Sequence, residues 1–476
     1  MPELIVTSAE MRAREERTWA AGVSRESVIL RAGVAVASVA LRMTRPNDPV
    51  LVLAGRGHNG SDAVVADEHL ADRDSTLVRF GDPRSLAAAE AWMESYRGDP
   101  RALVIDGMVG IGLDRPLEGD WLRVVRVLNA SRMRVVAVDV PTGLNADTGE
   151  PMGDAVEAAV TVTLGAVKGG LLRDRAARYV GRLELAPRIG LVPTATEGAL
   201  AWTLESDFHG YPWRRADDSH KGSYGHVGLL AGSLGYHGAG VLAAQGALRA
   251  RPGLVTLLTD ERCYVPAASA LRAAMVVPWS GERVDVSRFT ALVVGPGLAS
   301  RGLSPTLRDE VRRLWRESEC PVLADASALD WLPDSVAEQA GPRIMTPHPG
   351  EAARLLGTTV AEVQSDRVCA VRRLARFWDR TSTVAVLKGR HTILGQSDGC
   401  LFVNGTGNPG LAQGGTGDVL AGYLGGLIAQ PALAKDLIHA VRYGVWRHGL
   451  AADQLEFSGA RWTAEDLAEA LGRSDP

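Results

Sequence analysis

Cysteine is scarce. Only Cys263, Cys320, Cys369 and Cys400 occur in 476 residues, all in the second half and at spacings that match no metal-binding or redox motif. Reduced, mostly buried thiols are therefore expected in place of a disulfide framework. No apolar run reaches the ~18 residues that a spanning helix requires, and the opening MPELIVTSAEMRAREERTWAAGV is charged from Glu3 onward, without the apolar centre of a signal peptide. No dense Lys/Arg block accompanies the net charge of −4, which argues against nucleic acid or an anionic membrane surface as a partner. The absence of short-period repeats and low-complexity tracts weakens solenoid and disordered-scaffold readings. What remains is a cytoplasmic chain that handles small molecules.

The length exceeds the ~250–300 residues at which single cores stop growing, so two or more domains are expected. Short Val/Leu-rich runs recur between helical stretches: VLVLA (50–54), ALVID (102–106) and VVAVD (135–139), then, after a Pro/Gly/polar passage over 186–225, HVGLLAG (226–232), LVTLL (254–258), ALVVG (291–295), PVLAD (321–325) and VAVLKG (384–389). This alternation predicts parallel sheets wrapped by helices, an α/β fold in two domains, 1–205 and 206–476.

The stretch GNPGLAQGGTGDVLAG (407–422) sets one carboxylate, Asp418, among six glycines. Val419, Leu420, Tyr423 and Leu424 recur at helical spacing, so a helix is expected to begin near Asp418. Its free amide donors would suit phosphate, with glycines letting a ligand approach the backbone. Asp418 could equally be an N-cap, although a plain cap needs no neighbouring glycines.

With HKGSYGHVGLLAGSLGYHGAG (220–240), VVGPGLA (293–299), TPHPGEAARLLG (346–357) and VLKGRHTILG (386–395), this stretch resembles the ADP-dependent NAD(P)H-hydrate dehydratase domain, of the ribokinase-like fold. The resemblance implies that Asp418 is the catalytic base and that Gly415, Thr416 and Gly417 form an anion hole. It implies further that Ala239, Gly297, His348 and Asp418 face the hydrated nucleotide, while Lys388, Gly389, Arg390, His391, Thr392 and Gly417 face ADP, with magnesium as cofactor. Taken alone, Gly297 could be a tight turn, His348 a side chain capping a backbone group and Lys388 a solvated lysine. The family usually has a second Asp where Ser327 stands.

In the first half, VLVLAGRGHNGSDAVVADEHL (50–70) reads as strand, glycine-rich loop and helix. Asn59 and Asp62 distinguish it from the usual dinucleotide fingerprint. Asp106 and Asp139 each end a strand, and in a doubly wound sheet such ends converge on one crevice, although each acid alone could be a turn or cap. Together with TSAEMRAREERTWAAGV and ILRAGVAVA, these segments resemble the NAD(P)H-hydrate epimerase domain, with a Rossmann-like doubly wound α/β sandwich. The resemblance implies potassium at Asn59, Asp106 and Thr142. It also implies substrate contacts at His58, Asn59, Gly60, Ser61 and Asp62, at Gly110, Ile111, Gly112, Leu113, Asp114, Arg115 and Pro116, and at Asp139, the expected general acid/base. Oxygen ligands of this kind suit a hard cation. His58 and Ser61 replace an Asn and a Gly of the family pattern, adding bulk where phosphates should pass.

Combined, the two resemblances imply a bifunctional repair enzyme. NADH-hydrate or NADPH-hydrate and ADP would be its ligands, potassium and magnesium its ions, and a homo-oligomer its state. A ribokinase-class vitamin or sugar kinase, or a first domain that only binds ligand, are the alternatives.

Overall fold

The computed structural model describes residues 3–81, 84–193, 200–377, 383–459 and 461–473. The chain divides into two compact units, Glu3–Gly198 and Ala199–Pro476. Among the described residues no helix is long and apolar enough to cross a membrane.

The first unit contains β1 (Glu3–Leu4), β2 (Pro49–Ala54), β3 (Asp74–Arg79), β4 (Leu103–Gly107), β5 (Arg134–Val138), β6 (Val160–Leu164) and β7 (Arg182–Ala186). Six of them form an all-parallel sheet in the order β3-β2-β4-β5-β6-β7. Side chains of a strand alternate between faces, and here both faces are buried. Val50, Val52 and Ala54 enter one core, with Val36 and Ala40 of the helix Arg25–Met43, while Leu51 and Leu53 enter the opposite core, with Trp92 and Leu128. Full burial of each Val or Leu contributes roughly 1.5–3 kcal/mol, so the runs stay continuously apolar. The chain reverses its winding between β2 and β4, and the loops that follow these two strands open a crevice there.

The second unit contains β8 (Leu200–Trp202), β9 (His226–Leu230), β10 (Leu254–Asp260), β11 (Met275–Trp279), β12 (Ala291–Val294), β13 (Val322–Ala324), β14 (Arg343–Met345), β15 (Thr383–Leu387), β16 (Ile393–Gly395) and β17 (Leu401–Val403). Their order is β8-β17-β16-β15-β14-β13-β12-β9-β10-β11, with β16 antiparallel to both its neighbours and the remaining pairs parallel. The winding reverses between β9 and β12. Every apolar run read as a strand coincides with one, in a mixed α/β chain of two domains as expected. The divide falls just before β8, because that strand pairs with β17 of the second sheet.

One expectation is corrected. All four cysteines are free, but only Cys263 is buried; Cys320 and Cys400 are half-buried and Cys369 is exposed.

Candidate functional sites

In the first unit the crevice at the β2/β4 reversal is a cleft of about 460 Å³, walled by Trp19, Arg56, His58, Asp62, Gly110 and Asp139 among others. His58 starts the helix His58–Glu68, whose N-cap, Gly57, provides no side-chain hydrogen bond. The first amides of that helix are therefore available to an anion at the cleft.

Of the positions expected to touch substrate, His58, Asn59, Asp62, Gly110, Ile111, Gly112 and Asp139 line the cleft. Gly60, Ser61, Leu113, Asp114, Arg115 and Pro116 do not. Gly60 packs on Gly55, where a Cβ would fall 2.0 Å from Gly55 O. Ser61 sits within the helix with Oγ 3.5 Å from Gly57 O. The crowding expected of Ser61 is thus absent from the cleft, and only His58 adds bulk to its wall.

Asp106 is fully buried at the end of β4. Its Oδ1 accepts from the Thr142 hydroxyl at 2.6 Å, and its Oδ2 from the Thr142 N–H at 2.8 Å. Burial pushes its carboxyl up to about 6, against these hydrogen bonds and one from the Met108 N–H. Asn59 lies next to the same loop, its Oδ1 3.1 Å from where a Gly110 Cβ would stand, and its Nδ2 is buried without a partner. The expected trio thus borders one loop. A desolvated carboxylate beside an amide whose O and N are interchangeable by a flip is a donor set that fits a hard cation.

Asp62 is buried against the cleft, and burial together with the charges of Asp139 and Glu15 raises it to about 8. Glu15 is raised by burial and by Asp139. Lys168 donates to Asp139 Oδ1 from a fully buried position.

In the second unit Gly415 takes φ +96° as the N-cap of the helix Thr416–Ile428, which begins two residues before Asp418. Asp418 is therefore the third residue of the helix and not its N-cap, and no side chain caps the first turn. The Thr416 hydroxyl is committed to Leu411 O at 2.9 Å and Gln413 O at 3.1 Å, so the proposed anion hole consists of backbone amides. His448 holds this turn from behind, its Nε2 3.0 Å from Thr416 O. Close helix packing fixes the turn further: Cβ atoms at Gly246 and Gly422 would fall 2.2 Å from Val419 O and 1.8 Å from Ala243 O.

Lys388 brings its ammonium to within 3.6 Å of a Gly417 Cβ position. It donates to Asp325 Oδ1 at 2.7 Å and lies 4.0 Å from Glu351 Oε2. Burial pushes Lys388 down, but Asp325, Glu351 and Asp418 outweigh it and hold the ammonium above its ordinary value. Asp418 is raised to about 7 by burial and Asp325, opposed by Lys388. A carboxylate poised there can exchange a proton near neutrality.

Ala239 and Gly297 meet at the β9/β12 reversal, where a Gly297 Cβ would fall 2.7 Å from Ala239 Cβ. His348 is the N-cap of the helix Pro349–Leu356; its Nδ1 accepts from the Gly350 N–H at 3.0 Å and the Glu351 N–H at 3.3 Å. Gly389 and His391 follow β15 at φ +131° and +52°. The Thr392 hydroxyl donates to Gly389 O at 3.2 Å. His391 is lowered to about 3 by burial and by Arg390 and Arg367, so it is a neutral ring.

Sequence reasoning missed Glu15, Lys168, Asp325 and Glu351. Asp325 closes PVLAD just as Asp106 and Asp139 close their strands, so the strand-end signal would have found it; Glu351 stands within TPHPGE.

Two doubly wound units, each gathering acids beyond the carboxyl ends of its strands, define a two-domain α/β enzyme. A family model described as NAD(P)H-hydrate dehydratase matches residues 227–473, and one described as YjeF-related protein N-terminus matches residues 25–91 and 76–170. The bifunctional NAD(P)H-hydrate repair enzyme Nnr of Coxiella burnetii is 32% identical over 483 residues, covering 96% of each chain. Its counterpart in Escherichia coli is 33% identical over 487 residues, covering 97% of this chain and 92% of the relative. A crystal structure of ADP/ATP-dependent NAD(P)H-hydrate dehydratase from Bacillus subtilis is 33% identical with a TM-score of 0.48, covering 54% of this chain and 91% of that one. The chain belongs to the family of bifunctional NAD(P)H-hydrate repair enzymes.

Proposed function

We propose that the first unit interconverts R- and S-NAD(P)H-hydrate and that the second dehydrates the S epimer to NAD(P)H at the expense of ADP, giving AMP and phosphate. The observation that carries the second reaction is Asp418 in the uncapped first turn, beside Lys388. Asp418 takes the proton from the C6 hydroxyl as its oxygen attacks the β-phosphorus of ADP and AMP leaves. Amides of Gly415, Thr416 and Gly417, with Lys388, neutralise the phosphoryl charge. Phosphate then departs from C6 with its bonding electrons, a proton is lost from C5, and the ring double bond returns.

In this reading Ala239, Gly297 and His348 border the hydrated ring, and Lys388 to Thr392 border the nucleotide. Among the described residues no three His, Cys, Asp or Glu form a metal cage, so magnesium would arrive on the ADP phosphates.

Epimerisation requires the C6 hydroxyl to leave as water and water to return on the other face, with the N1 lone pair carrying the charge between. Asp62, held protonated, suits the donation of a proton to the leaving hydroxyl, and Asp139 suits its removal from the returning water. Asn59, Asp106 and Thr142 would hold potassium, whose charge offsets that of Asp106 beside the phosphate-binding loop.

Four free cysteines fit a cytoplasmic setting. A homo-oligomer is part of the same reading, testable by light scattering. The deciding experiment incubates purified protein with mixed epimers and ADP or ATP, following nicotinamide absorbance together with the epimer ratio. A phosphorylated product that accumulates with no gain in absorbance would overturn the reading.

A further inference from the structure

Asp139 leaves β5 with φ +64°, a left-handed conformation unfavourable for a residue with a Cβ. Its N–H donates to Val162 O at 2.8 Å. Among the described residues the hydrogen bonds to its carboxylate arrive on one oxygen: Oδ1 accepts from the Leu164 N–H at 2.9 Å, the Thr163 hydroxyl at 3.4 Å and the Lys168 ammonium. Lys168 has no exposed surface, and its ammonium also donates to Leu164 O at 2.9 Å and Thr163 Oγ1 at 3.3 Å. Its three protons thus meet three acceptors. Lys168 does not line the cleft, whereas Asp139 does. A buried ammonium is expensive, and an apolar residue would fill the same space more cheaply, so the charge calls for a role. Asp62 and Glu15 are the acids that interact with this carboxylate, and His58 and Arg12 are the bases that face Glu15.

We propose that Lys168 is a positioning residue for epimerisation: from behind the cleft wall it fixes Oδ1 of Asp139, so that Oδ2 alone is presented to the substrate. The inference rests on the reading of Asp139 as the acid/base of the first unit.

The test compares Lys168→Met, Asp139→Asn and the double variant in the full chain, measuring epimerisation and, as a control for folding, dehydration of the S epimer. Lys168→Met is expected to lower the epimerisation kcat about 100-fold, the scale of a catalytic group displaced by about 1 Å, with little change in KM. The double variant is expected to be no slower than Asp139→Asn alone, because Lys168 acts only through Asp139. Should Lys168→Met fail to fold, Lys168→Gln, whose amide can still donate to Oδ1, is expected to lose about tenfold with the same non-additivity. A wild-type kcat in Lys168→Met, a loss confined to KM, or losses that multiply in the double variant would overturn the inference. Absence of epimerisation in the wild-type chain would instead remove the reading of the first unit on which it rests.

Discussion

Replacing Asp418 by Asn separates activity from stability. Burial and Asp325 raise the carboxyl from 3.8 to about 7. A shift of about three units corresponds to about 4 kcal/mol of differential interaction between its two protonation states. The folded form binds the proton more tightly than the unfolded form, so stability falls as pH rises from about 4 to about 7, and the full penalty persists above that range. Asn removes the penalty while keeping the size. Because the carboxyl is partly open to solvent, a gain of about 1–2 kcal/mol at about pH 8 is expected, discounted from the full figure for screening. For a unit of this size that is roughly 2–8 °C in Tm, vanishing below about pH 3, where the carboxyl is protonated in both states. Dehydration should fall ~10²–10⁴-fold, the range for loss of a general base, while ADP binding persists. Thermal melts at the two pH values, titration calorimetry with ADP and the absorbance assay read the three quantities. Near-normal turnover, or a lower Tm at about pH 8, would refute the reasoning.

Dehydration should rise with pH through about 7, because only ionised Asp418 accepts the proton; in Asp325→Asn the rise should move to lower pH, since a carboxylate holding Asp418 up is gone and Lys388 is freed to face it. An unchanged midpoint in the rate–pH curve would count against that coupling. Exchanging potassium for lithium should weaken epimerisation and leave dehydration unaffected, since the smaller ion does not span the oxygens of Asn59, Asp106 and Thr142; equal epimerisation rates in both salts would remove the site. Asp139→Ala should consume mixed epimers in two phases, a fast one equal to the initial S fraction and a slow one set by spontaneous epimerisation. A wild-type progress curve with the same two phases would mean that the first unit is inactive.

Central strands were legible because both their faces are buried and the runs are continuously apolar, as in PVLVLA of β2. Edge strands were not. In β3, DSTLVR, most side chains are exposed or half-buried, and β11, MVVPW, carries a proline and open positions, so neither reads as an apolar run. The helix start was placed at Asp418 because the apolar rhythm begins after it, whereas backbone geometry begins the helix at Thr416. Strand-end acids and glycine loops revealed Asp106, Asp139 and Asp418. Lys168 was hidden because its partner lies 29 residues earlier in the chain, and the Asp325–Lys388 pair spans 63 residues; a single sequence shows no such pairing.

The pairing of β8 with β17 also bears on the order in which a nascent chain gains its activities. Leu200 meets its β17 partner, Leu401, only when that residue has been made. The first sheet, by contrast, has its last strand by residue 186. Domains generally fold as units from the N-terminal side during synthesis, and long-range pairing is slow. A chain emerging from the ribosome therefore completes its epimerase sheet while β8 still lacks β17 beside it and Asp418 has yet to be added. A stalled or prematurely ended chain would carry the first reaction without the second.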